Sequence, residues 1–305
     1  MPSPEETYNL MVRAGVDKIM APWQKQILQG IMAGAYVALG ALFANLMEGG
    51  IYDKALGELE ESSYHQAQFH ALSNLVGGAV FPVGLVAIFL TGANLYTGNC
   101  MYVIPPLMNG TVSRLRAVAF LLLSWLANLA GALLVVYFIA YQGEWTHSGG
   151  VHEYVINNAE HKCGLKWSVA LLRGVGANWL VCLAWWQGLS SSDTISKIAA
   201  VWLPVFTFTA IGFEHSIANM FYIDIGLLEG AKPSFLDALV HNLIPVTLGN
   251  FIGGGVLLGL VQWATYDPRS QRIMGANIIS AASNSSPKWA AINGDRNNLQ
   301  LPLRS

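Results

Sequence analysis

Apolar residues along this chain gather into six long blocks separated by polar stretches. The first covers about 27–47 and is rich in small residues, among them Gly30, Ala33, Gly34, Ala38 and Ala41. Small side chains let neighbouring membrane helices approach closely. The third, fourth and sixth blocks cover about 117–141, 168–189 and 238–266. A bilayer core about 30 Å thick needs about 20 helical residues. The second block, about 71–106, and the fifth, about 198–228, overrun that length. Each is interrupted by glycine and polar residues, Thr91-Gly-Ala-Asn-Leu-Tyr-Thr-Gly-Asn99 in one and the stretch from Gly212 to Asn219 in the other. Both read as spans broken at depth. Irregular backbone is tolerated there only when it is buried in protein or lines a cavity.

The flanking segments are polar. Residues 48–70 and 142–167 read as long loops, and 190–197 and 229–237 as short ones. Residues 5–25 read as a short helix lying on the membrane surface, with Leu10, Met11, Ala14, Ile19 and Met20 on one face. From 267 the chain turns Ser/Asn-rich without periodicity, so 1–266 is the expected transmembrane domain and 267–305 an expected disordered cytoplasmic tail.

Composition agrees with this pattern. The chain is 53% hydrophobic and 11% charged, where a soluble domain carries about 25% charged residues. The fold class is therefore an all-α polytopic membrane protein with six transmembrane helices. A net charge of -2 and no basic stripe crossed by aromatics exclude a nucleic-acid partner. Cys100, Cys163 and Cys182 are scattered and form neither a metal-type pair nor a disulfide framework. The N-terminus lacks the apolar core of a secretory signal and the character of a transit peptide, so a plasma membrane is the expected location. Lys and Arg number eleven on the side of the termini and four on the other, with Arg173 inside a span left out. This bias places both termini in the cytoplasm.

The blocks also repeat. Leu126, Asn128 and Gly131 match Leu248, Asn250 and Gly253, and Gly30, Val37 and Leu39 match Gly174, Val181 and Leu183. Ala93-Asn-Leu-Tyr96 echoes Ala218-Asn-Met-Phe221. Three spans per copy force the second copy into the opposite orientation. An inverted 3+3 repeat, about 27–141 and 168–266, with helices 2 and 5 broken, is a transporter signature.

Chemistry concentrates at Glu214, His215, Ser216 and Asn219 in the fifth span. Ionisable groups within a span are costly and point to function. A lone intramembrane histidine more often staples helices, but the glutamate, serine and asparagine around His215 favour a working site. Glu214 adjoins His215, yet successive helical residues point about 100° apart, so Glu214 is expected to be structural. Asn219, Asn128 and Asn250 are expected to satisfy backbone groups freed at the breaks. An aquaporin-class neutral-solute channel would need Asn-Pro-Ala at both half-helices, and neither is present. An intramembrane hydrolase would need a nucleophile–base pair or two His at i, i+4 with a Glu. No such constellation surrounds His215, and His241 lies near a membrane edge. No enzyme activity, cofactor or metal is expected.

Thr91 to Asn99 and Gly212-Phe-Glu-His-Ser-Ile-Ala-Asn-Met220 resemble the two signature stretches of the formate/nitrite transporter family. Asn178-Trp-Leu-Val-Cys-Leu183 and Leu248-Gly-Asn-Phe251 also fit, and the resemblance covers about residues 10–265. It implies an aquaporin-like fold and a homopentamer with one pore per protomer in the lipid bilayer. It implies passage of small weak-acid anions, nitrite and formate first. Because an anion leaving water has a raised pKa and can take a proton, the expected transport is proton-coupled and bidirectional. An acetate or lactate:proton symporter and a hydrosulfide channel are the alternatives within the family. The central histidine falls on His215, a threonine on Thr97 and an asparagine on Asn178. Apolar constrictions fall on Phe81, Leu85, Leu95, Tyr96, Val181 and Phe208, and vestibule lysines on Lys18 and Lys162. Where the family commonly has Phe before the threonine and an acidic residue three positions ahead of it, this chain has Tyr96 and Asn94. A tyrosyl hydroxyl would make that constriction less dry. His215 then either donates the proton that neutralises the anion or orients the substrate through a hydrogen bond.

Overall fold

The computed structural model describes residues 1–56 and 63–273, with side chains for 1–52 and 71–273. All regular elements among the described residues are helices. Six are long and apolar enough to cross a membrane: Trp23–Tyr52, Ala71–Thr91, Arg114–Tyr141, Trp167–Ser190, Thr194–Ile211 and Phe235–Tyr266.

Helix α1 (Pro4–Met20) starts on a capping box in which Ser3 and Glu6 each accept the other's backbone N–H. Its buried face is Tyr8, Met11, Gly15 and Ile19, while Leu10 and Met20 point outward. The buried residues recur every three to four positions and pack on protein rather than on the expected lipid-facing surface. Gly15 lies against the carbonyl of Tyr102, where a Cβ would not fit. Arg116 and Gln26 side chains donate to the carbonyl of Ile19, satisfying an orphan group at the helix end.

The first span is α2 (Trp23–Leu56), which continues past the expected loop start at 48. The next is α3 (Ser63–Val80), which turns at Phe81 and Pro82 into α4 (Val83–Thr91). Beyond a break come α5 (Tyr96–Tyr102) and α6 (Ile104–Met108). The third span is α7 (Arg114–Leu134), extended by a π-helical stretch Val135–Tyr141. The segment expected to be a long loop contains α8 (Gly149–Cys163). Its buried Val155, Ala159 and Lys162 share one face at i, i+4, i+7, a spacing masked in the sequence by its histidines and charges. Then follow α9 (Trp167–Ser190), α10 (Thr194–Ile211) and, after a second break, α11 (Ser216–Leu228). The last span combines α12 (Phe235–Ala238), α13 (Ile244–Phe251) and α14 (Val261–Tyr266) with π-helical joints between them.

The closest helix pairs are built alike. A Cβ at Gly131 on α7 would strike the carbonyl of Ile31 on α2, and one at Gly253 would strike that of Val175 on α9. Asp267 accepts hydrogen bonds from Tyr8 (2.7 Å) and Asn109 (2.8 Å), tying the end of the last span to α1. Residues 268–273 are helical, and the rest of the expected tail lies outside the described residues.

Candidate functional site

Both breaks begin with a glycine in the left-handed region, Gly92 at φ 73° and Gly212 at φ 80°. A Cβ is strained there, so glycine ends each helix cleanly. Each break then strands backbone groups far from water, and one asparagine satisfies two of them while tying the break to a carbonyl of a neighbouring helix. Asn128 accepts from the Tyr96 N–H (2.8 Å) and donates to the carbonyls of Gly30 (2.8 Å) and Asn94 (3.0 Å). Asn250 accepts from the Ser216 N–H (2.9 Å) and donates to the carbonyls of Gly174 (2.8 Å) and Glu214 (3.1 Å). This bonding equates Gly92 with Gly212, Asn94 with Glu214 and Tyr96 with Ser216. The apparent match of Ala93–Tyr96 to Ala218–Phe221 is therefore out of register. It arose from shared residue types, whereas the hydrogen bonds follow distance from the helix break.

His215 occupies the N-cap of α11, and its Nδ1 accepts the Ala218 N–H at 3.1 Å. A backbone N–H can only donate, so the neutral ring carries its hydrogen on Nε2. That nitrogen lies 3.0 Å from the Thr97 hydroxyl on α5, and both residues are buried. The two half-helices thus meet at this bond. Phe208 stacks on His215 with ring centroids 5.8 Å apart, and Phe81 lies edge-on to Phe208 at 5.9 Å. Leu85, Leu95, Tyr96 and Val181 are buried in the same core. Asn178 is close but turned away, donating to the carbonyls of Thr97 (3.0 Å) and Asn250 (2.6 Å). The Tyr96 hydroxyl reaches the Thr247 carbonyl at 3.5 Å.

Lys162 is not a solvated vestibule side chain. It forms a buried ion pair with Glu214, Nζ lying 3.1 and 3.2 Å from the two carboxylate oxygens. Asn219 (2.6 Å) and Asn242 (3.3 Å) also donate to Glu214. Asn219 thus serves this carboxylate and Asn242 rather than a freed backbone group. Lys18 sits 5.7 Å from the ring centroids of both Tyr102 and Trp185. Among the described residues it has no carboxylate in ion-pair range. Burial, and then the nearby Lys25, lower its pKa to about 8.

The sequence reading missed Tyr222, Tyr102, Trp185 and Phe89. Tyr222 lies under Lys162 at 5.3 Å and stacks on Phe81 at 6.4 Å, completing an aromatic run to His215. Trp185 touches Phe89 at 5.0 Å and Tyr102 at 5.6 Å near Lys18. A signal existed for the tyrosines, since Tyr102 and Tyr222 each stand ten positions after the glycine of a break.

A family model described as formate/nitrite transporter matches residues 5–264. A probable formate transporter of Methanothermobacter thermautotrophicus is 37% identical over 87% of this chain and 97% of its own length. The formate channel FocA of Escherichia coli is 33% identical over 83% of this chain and 90% of its own. Among solved structures, an FNT family ion channel superposes with a TM-score of 0.70 at 29% identity, covering 86% of this chain and 98% of that one. A pentameric formate channel with formate bound gives 0.66 at 26% identity, covering 80% and 97%.

Proposed function

This chain belongs to the formate/nitrite transporter family, and from that premise we propose that it passes formate, with nitrite as an analogue of similar size and charge, across the plasma membrane together with a proton and in either direction. Family members are transporters and channels, not enzymes. Formate is preferred because the similar proteins are named for it. The pentameric neighbour supports five copies per assembly. Three membrane crossings separate Lys18 from Lys162, so the two lysines stand at opposite mouths. Lys18, which has no carboxylate in ion-pair range among the described residues, is the one that attracts anions, and both termini are cytoplasmic.

The observation that carries the reading is the buried hydrogen bond between Thr97 and His215. A bare anion is costly beside Phe81 and Phe208. As it leaves water its charged form is disfavoured, so it takes a proton and proceeds as the neutral acid. Thr97 accepts from His215 Nε2–H and keeps its own hydroxyl hydrogen free for a substrate oxygen. A second ring proton would fall on Nδ1, where the Ala218 N–H already points. His215 is therefore the orienting group, and the proton travels with the acid.

Proteoliposome uptake tests this. Acid on the source side speeds formate entry. Thr97→Val and His215→Ala each slow it about tenfold or more, a loss of about 1.4 kcal/mol of barrier stabilisation. Unchanged rate and pH dependence in both His215→Ala and His215→Asn would overturn the central role. Counterflow with nitrite, formate, acetate, lactate and hydrosulfide fixes the substrate.

A further inference from the structure

We infer that His147, His152 and Glu229 form an acid-strengthened clasp that ties α8 and the segment before it to the C-terminal end of α11. Glu229 is the first residue after α11. Its side chain is 5% exposed, while each imidazole is 35% exposed. One carboxylate oxygen lies 3.5 Å from His147 Nε2, and the other 3.3 Å from His152 Nδ1. Thr146 donates its hydroxyl to the first oxygen at 2.5 Å. His152 Nδ1 also lies 3.1 Å from the Thr146 carbonyl. Flanked by two acceptors, Nδ1 carries a hydrogen.

The two imidazole contacts are longer than the roughly 2.7–2.9 Å of a charge-assisted N–H···O bond. Each neutral ring donates from one nitrogen only, whereas a protonated ring donates from both. Proton uptake therefore gives both rings a positive charge against one nearly buried carboxylate, and it assures a hydrogen on His147 Nε2 as well as on His152 Nδ1. Histidine is the side chain that ordinarily changes charge between about pH 5 and 8.

The surrounding charges do not reverse this sign. The segment before α8 brings Tyr141, edge-on to His147 at 4.8 Å, and Glu144. Glu153 follows His152 on α8, and Asp224 lies on α11 ahead of Glu229. Lys232 beyond Glu229 pairs with Glu160 at 3.5 Å. On the α2 side of α8, Tyr154 donates to Glu48. The last carbonyls of α11 favour a cation, while the first turn of α8 disfavours one at His152. Direct contact with a full carboxylate charge outweighs that partial one.

The clasp acts on residues of the proposed path. Lys162 stands in the last turn of α8, and α11 begins immediately after His215. The two helices pack closely, with Gly226 against Val155 and Ala159. The tie is tighter with both rings protonated than with both neutral.

Hydrogen exchange of the full chain in lipid nanodiscs, without substrate, tests it. Rates at about pH 5.5 and 7.5, spanning histidine titration, are corrected for intrinsic exchange. Amides of 142–152 and 224–230 exchange at least about threefold more slowly in acid, as expected when a local tie lowers opening. His147→Gln/His152→Gln removes the pH effect while the rest of the map stays unchanged, and Glu229→Gln does the same. If the double variant does not fold, His147→Gln alone shows a reduced pH effect. A pH-independent wild type, or an equal pH effect in the variants, overturns the clasp. Neither result bears on formate uptake, so this inference and the transport reading fail separately.

Discussion

The two ends of the proposed path share one construction and differ in charge. At one end Lys162 lies over Tyr222, and at the other Lys18 lies over Tyr102. Lys162 is neutralised by Glu214, which Asn219 and Asn242 also hold. At the equivalent positions the other end has Asn94 and Asn99, whose Oδ1 and Nδ2 are buried without partners. One carboxylate exchanged for an amide leaves Lys18 without an ion-pair partner among the described residues and makes Lys162 part of the framework. Pseudo-symmetry of backbone support thus does not carry over to electrostatics. The breaks must be satisfied identically because backbone groups are identical, while the lysines are free to diverge.

The comparison breaks most readily at Glu214. Glu214→Gln strands a buried ammonium and is expected to cost about 3–5 kcal/mol, read as a lowered unfolding temperature in detergent. The mirror change Asn94→Glu places a carboxylate at the position equivalent to Glu214, and anion entry from the Lys18 end falls. A Glu214→Gln protein as stable as wild type would remove the distinction between the ends.

Next in size are the two supporting asparagines. Asn128→Ala and Asn250→Ala each strand backbone groups worth about 1–3 kcal/mol apiece. Chemical denaturation should show nearly equal losses, and a large inequality would show that the halves are supported differently.

The smallest effect on stability falls on Lys18. Lys18→Gln is expected to cost under about 1 kcal/mol yet to slow low-salt anion entry from its side. That deficit closes as salt rises. Because Lys18 loses its charge as pH rises through about 8, entry from that side falls across this window beyond the effect of acid supply. Lys18→Arg keeps its charge and flattens that component, measured as uptake against pH on the Lys18 side alone.

Much of this was legible in advance. Length and apolarity located six spans, and Gly92, Gly212 and the polar residues after them marked the breaks. The pairing of Asn128 with Asn250 and of Gly30 with Gly174 was visible at fixed spacing. The α8 helix was hidden because its buried face holds only a few small apolar residues among histidines and charges. The surface assigned to α1 was wrong at Leu10 and Met20 because hydrophobicity does not say which partner a helix meets.

By itself the sequence determined the membrane setting, the two interrupted spans and the central histidine, since each depends on local composition and on residues near one another in the chain. Only the tertiary structure decided what Glu214, Lys162 and Asn178 do. Glu214 and Lys162 are separated by 52 positions, and Asn178 reaches Thr97 across 81. Whether a lysine attracts anions or neutralises a carboxylate depends on distances of a few ångströms between such remote segments, where Coulomb energy changes steeply. The stretch around His215 was a polar island in an apolar span. In the folded chain it is one side of a joint whose other side, Thr97, comes from the first half.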